Sequence, residues 1–303
     1  MPKVSVLVPT YNCVQYLKIA LESALNQTFK DYEIIVIDDG STDNTKEVVK
    51  NYQTANPGKI VYIYQENQGV VAARNTGIKA AQSDYLALLD ADDIWCPDRL
   101  EKGIGTIEPD PGIGLVHANI TRVDENGRTI STPLRDLKYL TGPMFENIFL
   151  RKADIACPTA LFRKACCDKV GLFDPHLTRL GCEDRELWLR IARKFKIVYI
   201  DQVLALYRVR LNSMSNNQQK MLKARLYVVD KFSPEGKNGR LRHLTLAKIY
   251  RDLGDEHLFR QQFEHAKGHY WKSIAFNPFS FWTWINLGKS FIKLVVMRAQ
   301  DNR

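Results

Sequence analysis

The sequence predicts an α/β protein with a mostly parallel sheet flanked by helices, followed by a small helical extension. In the first part of the chain, short apolar stretches alternate with amphipathic stretches of helical period, a pattern typical of βαβ units. The charge marks the second part: residues 1–219 hold 27 basic and 27 acidic residues, whereas residues 220–303 hold 16 and 7, which accounts for the whole net charge of +9. We therefore predict an α/β domain over residues 1–217 and a basic helical extension over residues 218–303.

Length and composition exclude several classes of protein. The chain has 303 residues, 45% hydrophobic and 25% charged, which suits one large globular domain with an annex. No apolar run approaches the ~20 residues that span a bilayer. A strand pattern begins at Lys3 in place of a secretory leader, so we expect a cytoplasmic protein. The six cysteines form no C-x-x-C pair, which argues against a zinc cage. No nucleic-acid-reading motif accompanies the basic residues, so nucleic acid is not an expected partner.

Four predicted strands alternate with three predicted helices in the first hundred residues. The helical period covers residues 16–25 and 69–81. Between these two stretches lies a third helical stretch, which Thr42 or Asp43 can cap. The strands are apolar almost throughout, as expected of parallel strands buried on both faces. They cover residues 4–8, 33–37, 60–64 and 85–89.

Polar side chains follow three of these strands, at the edge where an open α/β sheet binds its ligands. The most prominent group is Asp90-Ala91-Asp92, directly after the fourth strand. Two carboxylates one residue apart can hold one hard cation, Mn²⁺ or Mg²⁺, with a phosphate supplying other oxygens. The alternative is a solvated acidic turn that caps the next helix.

The other two strand ends fit a nucleotide, although the chain has neither a P-loop nor a G-x-G-x-x-G motif. Tyr11 can stack on a base, and Asp39 can accept a hydrogen bond from a base or a ribose hydroxyl. A cation on the Asp90-Ala91-Asp92 motif would then hold the diphosphate. Arg74, at the start of the third helix, can add a basic contact. The alternative for Arg74 is a side chain that faces solvent.

Four motifs together resemble those of family-2 glycosyltransferases. They are V-S-V-L-V-P-T-Y-N from residue 4, I-I-V-I-D-D-G-S-T-D-N-T from residue 34, N-Q-G-V-V-A-A-R-N-T-G from residue 67, and L-L-D-A-D-D-I-W-C-P-D-R-L from residue 88. The resemblance implies a GT-A fold and metal-dependent, inverting sugar transfer from a nucleoside diphosphate sugar. It also implies that Pro9, Tyr11 and Asp39 contact the nucleoside, most often uridine. Asp90 and Asp92 would form the metal motif, with Asp92 the direct ligand.

The resemblance continues more sparsely through residues 109–217, which would form the acceptor half beside a donor half at residues 1–108. Glu183-Asp184 precedes an aromatic-bearing helix and matches the catalytic-base motif, so Asp184 is the predicted base. Without the resemblance, these acids are better explained as first-turn residues that complement the helix dipole. We predict that Asp93 caps a helix over residues 97–107. Further strands are predicted at residues 112–123, 157–163 and 202–210.

Two arginines lie near the end of this half: Arg208, which follows Tyr207, and Arg210. Some relatives carry a metal-binding histidine where this chain has Arg210, and an arginine cannot ligate a cation. Arg210 can instead contact the diphosphate, and Glu183, Arg208 and Arg210 are additional candidates for the site. The Q-x-x-R-W pattern of processive synthases is absent from the sequence. A transferase that adds a single sugar is therefore expected.

The basic extension reads as helices from about residue 218. A turn at Asp252-Leu253-Gly254-Asp255 and a long helix over residues 257–276 resemble one tetratricopeptide-like unit. Residues 279–298 are amphipathic, aromatic and basic, and such a helix can lie in a membrane interface. We expect either peripheral contact at the inner face of the cytoplasmic membrane or packing on the domain or a partner.

The sequence therefore predicts an enzyme that uses a nucleoside diphosphate sugar and a glycan or lipid-linked acceptor. One alternative is a sugar nucleotidyltransferase, which needs a Gly-rich basic loop after the first strand; Pro9-Thr10-Tyr11-Asn12 stands there instead. The other alternative is a non-catalytic adaptor on the same fold. Intact carboxylates at Asp39, Asp92 and Asp184 argue against the adaptor.

Overall fold

A computed structural model describes residues 1–133, 140, 144–210, 217–233, 236 and 239–301, and the side chains among these as far as residue 295. Two further predictions from the sequence, a short helix that starts at Thr141-Gly142-Pro143 and a Ser-rich turn at residues 211–215, lie outside this range. The chain forms two compact units: a first unit of Met1–Ile148 with Ala153–Met221, and a second unit of Phe149–Lys152 with Leu222–Arg303. Within the described residues, no helix is long and apolar enough to cross a membrane.

The first unit is built on one sheet, which contains nine strands among the described residues. The strands are β1 (Val4–Thr10), β2 (Tyr32–Asp38), β3 (Ile60–Tyr64), β4 (Tyr85–Leu88), β5 (Ile94–Trp95), β6 (Ile113–Val123), β7 (Thr129–Ser131), β8 (Leu161–Arg163) and β9 (Lys196–Arg208). Their order is β3-β2-β1-β4-β8-β6-β9-β5, and β7 pairs with β6. This mixed sheet with flanking helices confirms the predicted α/β class.

The first four strands are parallel, as the sequence pattern predicts. Pairing joins β2 to β3, β1 to β2 and β1 to β4. The helices between them are α1 (Val14–Leu25), α2 (Thr45–Ala55) and α3 (Val70–Ala80). Helix α2 begins after Asn44, so neither predicted residue is its cap, although Asp43 Oδ1 accepts from the Thr45 amide at 3.1 Å. Because these strands run the same way, the ends of β1, β2 and β4 lie at one edge of the sheet.

The remaining helices of the first unit are α4 (Arg99–Ile107), α5 (Met144–Phe149, its last residue in the second unit), α6 (Lys164–Val170) and α7 (Glu183–Ala192). Two predictions are corrected here. Only Leu161–Arg163 of the strand expected at residues 157–163 is a strand, because Cys157–Thr159 forms a 3-10 turn. Asp93 does not cap α4, which follows Asp98; Asp93 is buried, and its Oδ1 accepts from the Arg208 amide at 2.9 Å.

The second unit contains α8 (Gln218–Phe232, its first four residues in the first unit), α9 (Arg240–Phe259), α10 (Phe263–Phe276) and α11 (Phe281–Asp301). The predicted turn at residues 252–255 is wrong, because α9 runs through it and the chain reverses at residues 260–262 instead. Gly254 serves close packing: a Cβ there would lie 2.5 Å from the Tyr270 ring of α10. The buried Tyr270 hydroxyl donates to Asp255 Oδ1 at 2.8 Å.

Candidate active site

The loops after β1 and β2 are tied together and form the first part of the candidate site. The Asp39 amide donates to the Thr10 carbonyl at 2.9 Å, and the Thr42 amide donates to Asn12 Oδ1 at 2.8 Å. Tyr11 lies between these contacts with 51% of its surface exposed. A ring that is held by its backbone and open to solvent is available for stacking on a planar ligand.

Asp39 is buried and orders the loop before α3. Its Oδ1 accepts from Gln65 Nε2 at 2.7 Å and from the Gln68 amide at 2.9 Å, and its Oδ2 accepts from the Gly69 amide at 2.7 Å. Gly69 has a φ of +90°, and a Cβ there would lie 2.8 Å from Thr178 Cγ2. Asp39 therefore orders this loop with three of the about four acceptor positions that an ionised carboxylate offers.

Arg74 joins the Asp90-Ala91-Asp92 motif to the start of α7. Its Nη2 donates to Asp90 Oδ1 at 2.7 Å, and its Nη1 donates to Glu183 Oε1 at 2.6 Å, across 109 positions of sequence. The guanidinium is buried and lies 5.5 Å from the centre of the Phe173 ring. The alternative of a solvent-facing Arg74 is therefore wrong. Its charge is balanced by two carboxylates that sequence analysis assigned to different halves of the site.

Asp184 follows Glu183 in the first turn of α7, with its Oδ1 2.6 Å from the Arg185 amide. Burial raises the pKa of the Asp184 carboxyl to about 7, and the neighbouring charge of Glu183 adds to the rise. The positive charge of Arg74 acts in the opposite direction on this pKa. A carboxylate with a pKa near neutrality is matched to proton transfer at neutral pH.

Asp92 lies beside two arginines at the end of β9. Arg210 Nε is 3.0 Å from Asp92 Oδ2, whereas Arg208 Nε donates to the Asp92 backbone carbonyl at 2.9 Å. Arg208 is buried and also donates to the backbone carbonyls of residues 124 and 125, so it fastens loops to one another. Burial and the charge of Asp90 raise the pKa of Asp92.

The Asp90-Ala91-Asp92 motif suits a divalent cation. Asp90 uses Oδ1 for Arg74 and Asp92 uses Oδ2 for Arg210, so each carboxylate has a second oxygen to offer. A cation would also relieve the repulsion that raises the pKa of Asp92. No group of three or more acidic, histidine or cysteine residues placed to hold a metal occurs among the described residues. Two carboxylates suffice for the kind of Mg²⁺ site in which a phosphate and water supply the other oxygens.

The predicted residues fall into groups that are held in different ways. Tyr11 and Asp39 belong to the loops after β1 and β2, with Pro9 buried inside β1. Arg74, Asp90 and Glu183 form one ion-pair network, and Asp92 pairs with Arg210.

Three further residues support these groups through contacts that the sequence did not predict. Tyr16, assigned only to the apolar face of α1, has its ring 4.9 Å from the Arg208 guanidinium and 5.3 Å from that of Arg210. Cys13 Sγ lies 3.4 Å from Arg210 Nη1. Asn75, next to Arg74, exchanges two hydrogen bonds of 3.0 Å with the Phe173 backbone. No sequence signal identifies these pairs, because each joins distant parts of the chain.

Comparison with known proteins shows the family to which this chain belongs. Residues 5–171 match the model of glycosyl transferase family 2, so the chain belongs to that family. An uncharacterized glycosyltransferase from Nostoc sp. is 34% identical over 215 residues, 68% of this chain and 65% of that protein. A putative teichuronic acid biosynthesis glycosyltransferase, TuaG from Bacillus subtilis, is 29% identical over 229 residues, 75% of this chain and 87% of that one. The match to the Nostoc relative thus spans just under two thirds of its length.

Solved structures share the GT-A fold at low sequence identity. Mannosyltransferase PcManGT from Pyrobaculum calidifontis, in complex with GDP-Man and Mn²⁺, aligns with a TM-score of 0.64 at 18% identity, over 100% of this chain and 88% of that one. S. aureus TarS 1–349, in complex with UDP-GlcNAc, aligns with a TM-score of 0.59 at 19% identity, over 82% and 81%. The fold prediction is confirmed: the chain has the GT-A fold of these structures.

Proposed function

We propose that this protein moves a single sugar, with inversion, from a UDP-linked donor to a hydroxyl of a glycan or lipid-linked acceptor in cell-surface polysaccharide or glycolipid synthesis. Catalysis is assigned to residues 1–217. Asp184 is the general base, and Asp90 and Asp92 hold Mn²⁺ or Mg²⁺. Pro9, Tyr11 and Asp39 contact the nucleoside, and Arg74 acts through Asp90.

One observation carries this proposal: the ion pairs of Arg74 with Asp90 and Glu183, at 2.7 and 2.6 Å. They bring Asp90 of the Asp90-Ala91-Asp92 motif, and Glu183 before Asp184, to the two terminal nitrogens of one guanidinium. A base for the acceptor and a cation for the leaving group are needed within the length of one sugar. The two ends of this network supply both.

The reaction follows from these positions. The acceptor oxygen forms a bond to the anomeric carbon as the bond to the diphosphate breaks, and the acceptor proton passes to Asp184. A cation on Asp90 and Asp92 would offset the charge that develops on the leaving diphosphate. Attack opposite the leaving group inverts the anomeric centre, and one base suffices because no covalent intermediate forms.

The relatives support the choice of substrates. TarS is solved with UDP-GlcNAc, and TuaG carries a putative role in teichuronic acid biosynthesis. A cell-surface polysaccharide acceptor and a uridine donor are therefore the first to test, although PcManGT is solved with GDP-Man.

Donor binding can be tested by saturation-transfer NMR against UDP-, GDP- and dTDP-sugars. Mg²⁺ is the cation of choice, because Mn²⁺ broadens the ligand signals. We expect transfer to the nucleoside protons of UDP-sugars that is lost when EDTA removes the cation, because the diphosphate is held through the metal. Absence of contact with every sugar nucleotide, in folded protein, would contradict the proposal and favour a non-catalytic adaptor.

A second part of the proposal concerns α11 and the turn before it. Several large apolar side chains are mostly exposed there: Phe279, Phe281, Trp282, Ile292 and Val295, at 65–93%. Residues 265–300 contain five Lys or Arg and no Asp or Glu. Exposed aromatic and aliphatic groups among basic residues suit the interface of an anionic membrane. We propose that residues 279–298 contact the inner face of the cytoplasmic membrane peripherally, which would bring a lipid-linked acceptor near.

Membrane contact can be tested by co-sedimentation with vesicles. Replacing Phe281, Trp282 and Ile292 by serine should release the protein from phosphatidylglycerol vesicles, because these exposed side chains would lose their apolar partner. Their exposure means that the second unit should still fold. Ile130→Ser, at a site of 56% exposure in the first unit, is the matched control and should change nothing. Equal sedimentation of the triple variant and the wild type would refute the contact.

A further inference from the structure

The positively charged side chain of Arg210 already lies against the Asp90-Ala91-Asp92 motif. Its Nε lies 3.0 Å from Asp92 Oδ2, and the two side chains are 27% and 24% exposed. Asp92 is the residue that the proposed function makes the direct metal ligand. The guanidinium thus lies against the carboxylate where a divalent cation has to bind.

The surroundings explain why this arginine reaches Asp92. Arg208 fixes the end of β9 against the loop that carries Asp92 and Asp93. Its amide donates to the Asp93 carboxylate, and its side chain donates to the Asp92 carbonyl. The guanidiniums of Arg208 and Arg210 both lie against the Tyr16 ring, at 4.9 and 5.3 Å. Arg210 Nη1 also approaches Cys13 Sγ at 3.4 Å. Arg208 is buried and fixed by backbone contacts, whereas Arg210 is partly exposed.

Two properties make the Arg210–Asp92 pair replaceable. The pair is partly exposed, at 27% and 24%, so an anion that enters from solvent can reach the Arg210 guanidinium. A guanidinium is well matched to the oxygens of a phosphate, which it can bind with two parallel hydrogen bonds. A nucleoside diphosphate entering the site would therefore offer Arg210 a stronger partner than Asp92.

We infer that Arg210 is an internal counter-cation of the Asp90-Ala91-Asp92 motif, which opposes divalent cations that arrive alone and admits those that arrive with a nucleoside diphosphate. Without the nucleotide, Arg210 occupies Asp92 Oδ2 and repels a second positive charge. With the nucleotide, Arg210 moves to the diphosphate and Asp92 is released to the metal. The inference rests on the proposed function, since it takes Asp92 as the metal ligand.

The test is Mn²⁺ binding, measured as loss of the free Mn²⁺ signal in electron paramagnetic resonance, with and without UDP. Wild type should bind Mn²⁺ weakly alone and more tightly with UDP. Arg210→Ala should bind Mn²⁺ alone about three- to tenfold more tightly than wild type, because an opposing charge and a competing pair are removed. The same variant should lose part of the enhancement that UDP gives. Arg210→Gln, which keeps most of the side-chain size, should behave in the same way.

Two controls separate the possible failures. Lys196→Ala removes a lysine from an exposed pair with Asp110 and should leave Mn²⁺ binding unchanged. Unchanged or weaker Mn²⁺ binding in both Arg210 variants, with and without UDP, would overturn the inference and leave the metal site standing. Full Mn²⁺ affinity in Asp92→Asn would overturn the metal assignment of the proposed function and this inference with it.

Discussion

Asp184→Asn is expected to lower the rate of sugar transfer by about 10²–10⁴-fold, because a positioned base contributes that much. Asparagine keeps the size of the side chain but cannot take a proton from the acceptor. Donor binding should be unchanged, since the proposed donor contacts lie elsewhere. The rate can be measured as UDP release from UDP-GlcNAc with water as the acceptor, before the natural acceptor is known.

The pH dependence sharpens this expectation. Asp184 accepts a proton only when ionised, and burial raises its pKa to about 7. The wild-type rate should therefore rise with pH through about 7 and fall away below it, whereas the residual rate of Asp184→Asn should lack this step. Asp154→Asn is the matched control: it removes a nearby charge that raises this pKa, so it should keep the rate and move the midpoint down. Near-wild-type turnover in Asp184→Asn would exclude Asp184 as the base.

Arg74→Met is expected to cost about 3–5 kcal/mol of stability, because removing one partner of a buried ion pair leaves the other charge uncompensated. Here two carboxylates, Asp90 and Glu183, would lose their shared cation. The free energy of unfolding can be measured by denaturant titration. Lys196→Met removes a side chain of similar length from the exposed pair with Asp110 and should change stability little. A loss below about 1 kcal/mol in Arg74→Met would show that the network does not hold these elements together.

The fold of residues 1–108 is predictable from the sequence because each strand is marked by its own local pattern. Strands β1 to β4 are short apolar runs with acids directly after them, and parallel pairing places those ends at one edge. The positions of Tyr11, Asp39, Asp90 and Asp92 at this edge follow from the strand pattern alone.

The partners of these residues are not predictable, because they depend on distant parts of the chain. Arg74 meets Glu183 across 109 positions, and Asp93 meets Arg208 across 115. Local rules left a solvent-facing arginine open as an alternative and predicted a helix cap at Asp93, and tertiary contacts overrode both. The predicted turn at Gly254 was wrong for a related reason. Glycine occurs both in turns and where two helices pack closely, and only the Tyr270 ring, 16 positions later, distinguishes the two cases.

The most direct test of the central claim is a calorimetric titration of UDP-GlcNAc into wild type and Asp92→Asn, each with and without Mn²⁺. The account predicts that Mn²⁺ strengthens donor binding in wild type and has no effect in Asp92→Asn, which should bind the donor weakly throughout. Unchanged metal-dependent binding in Asp92→Asn would contradict the claim that the Asp90-Ala91-Asp92 motif holds the cation and, through it, the sugar nucleotide.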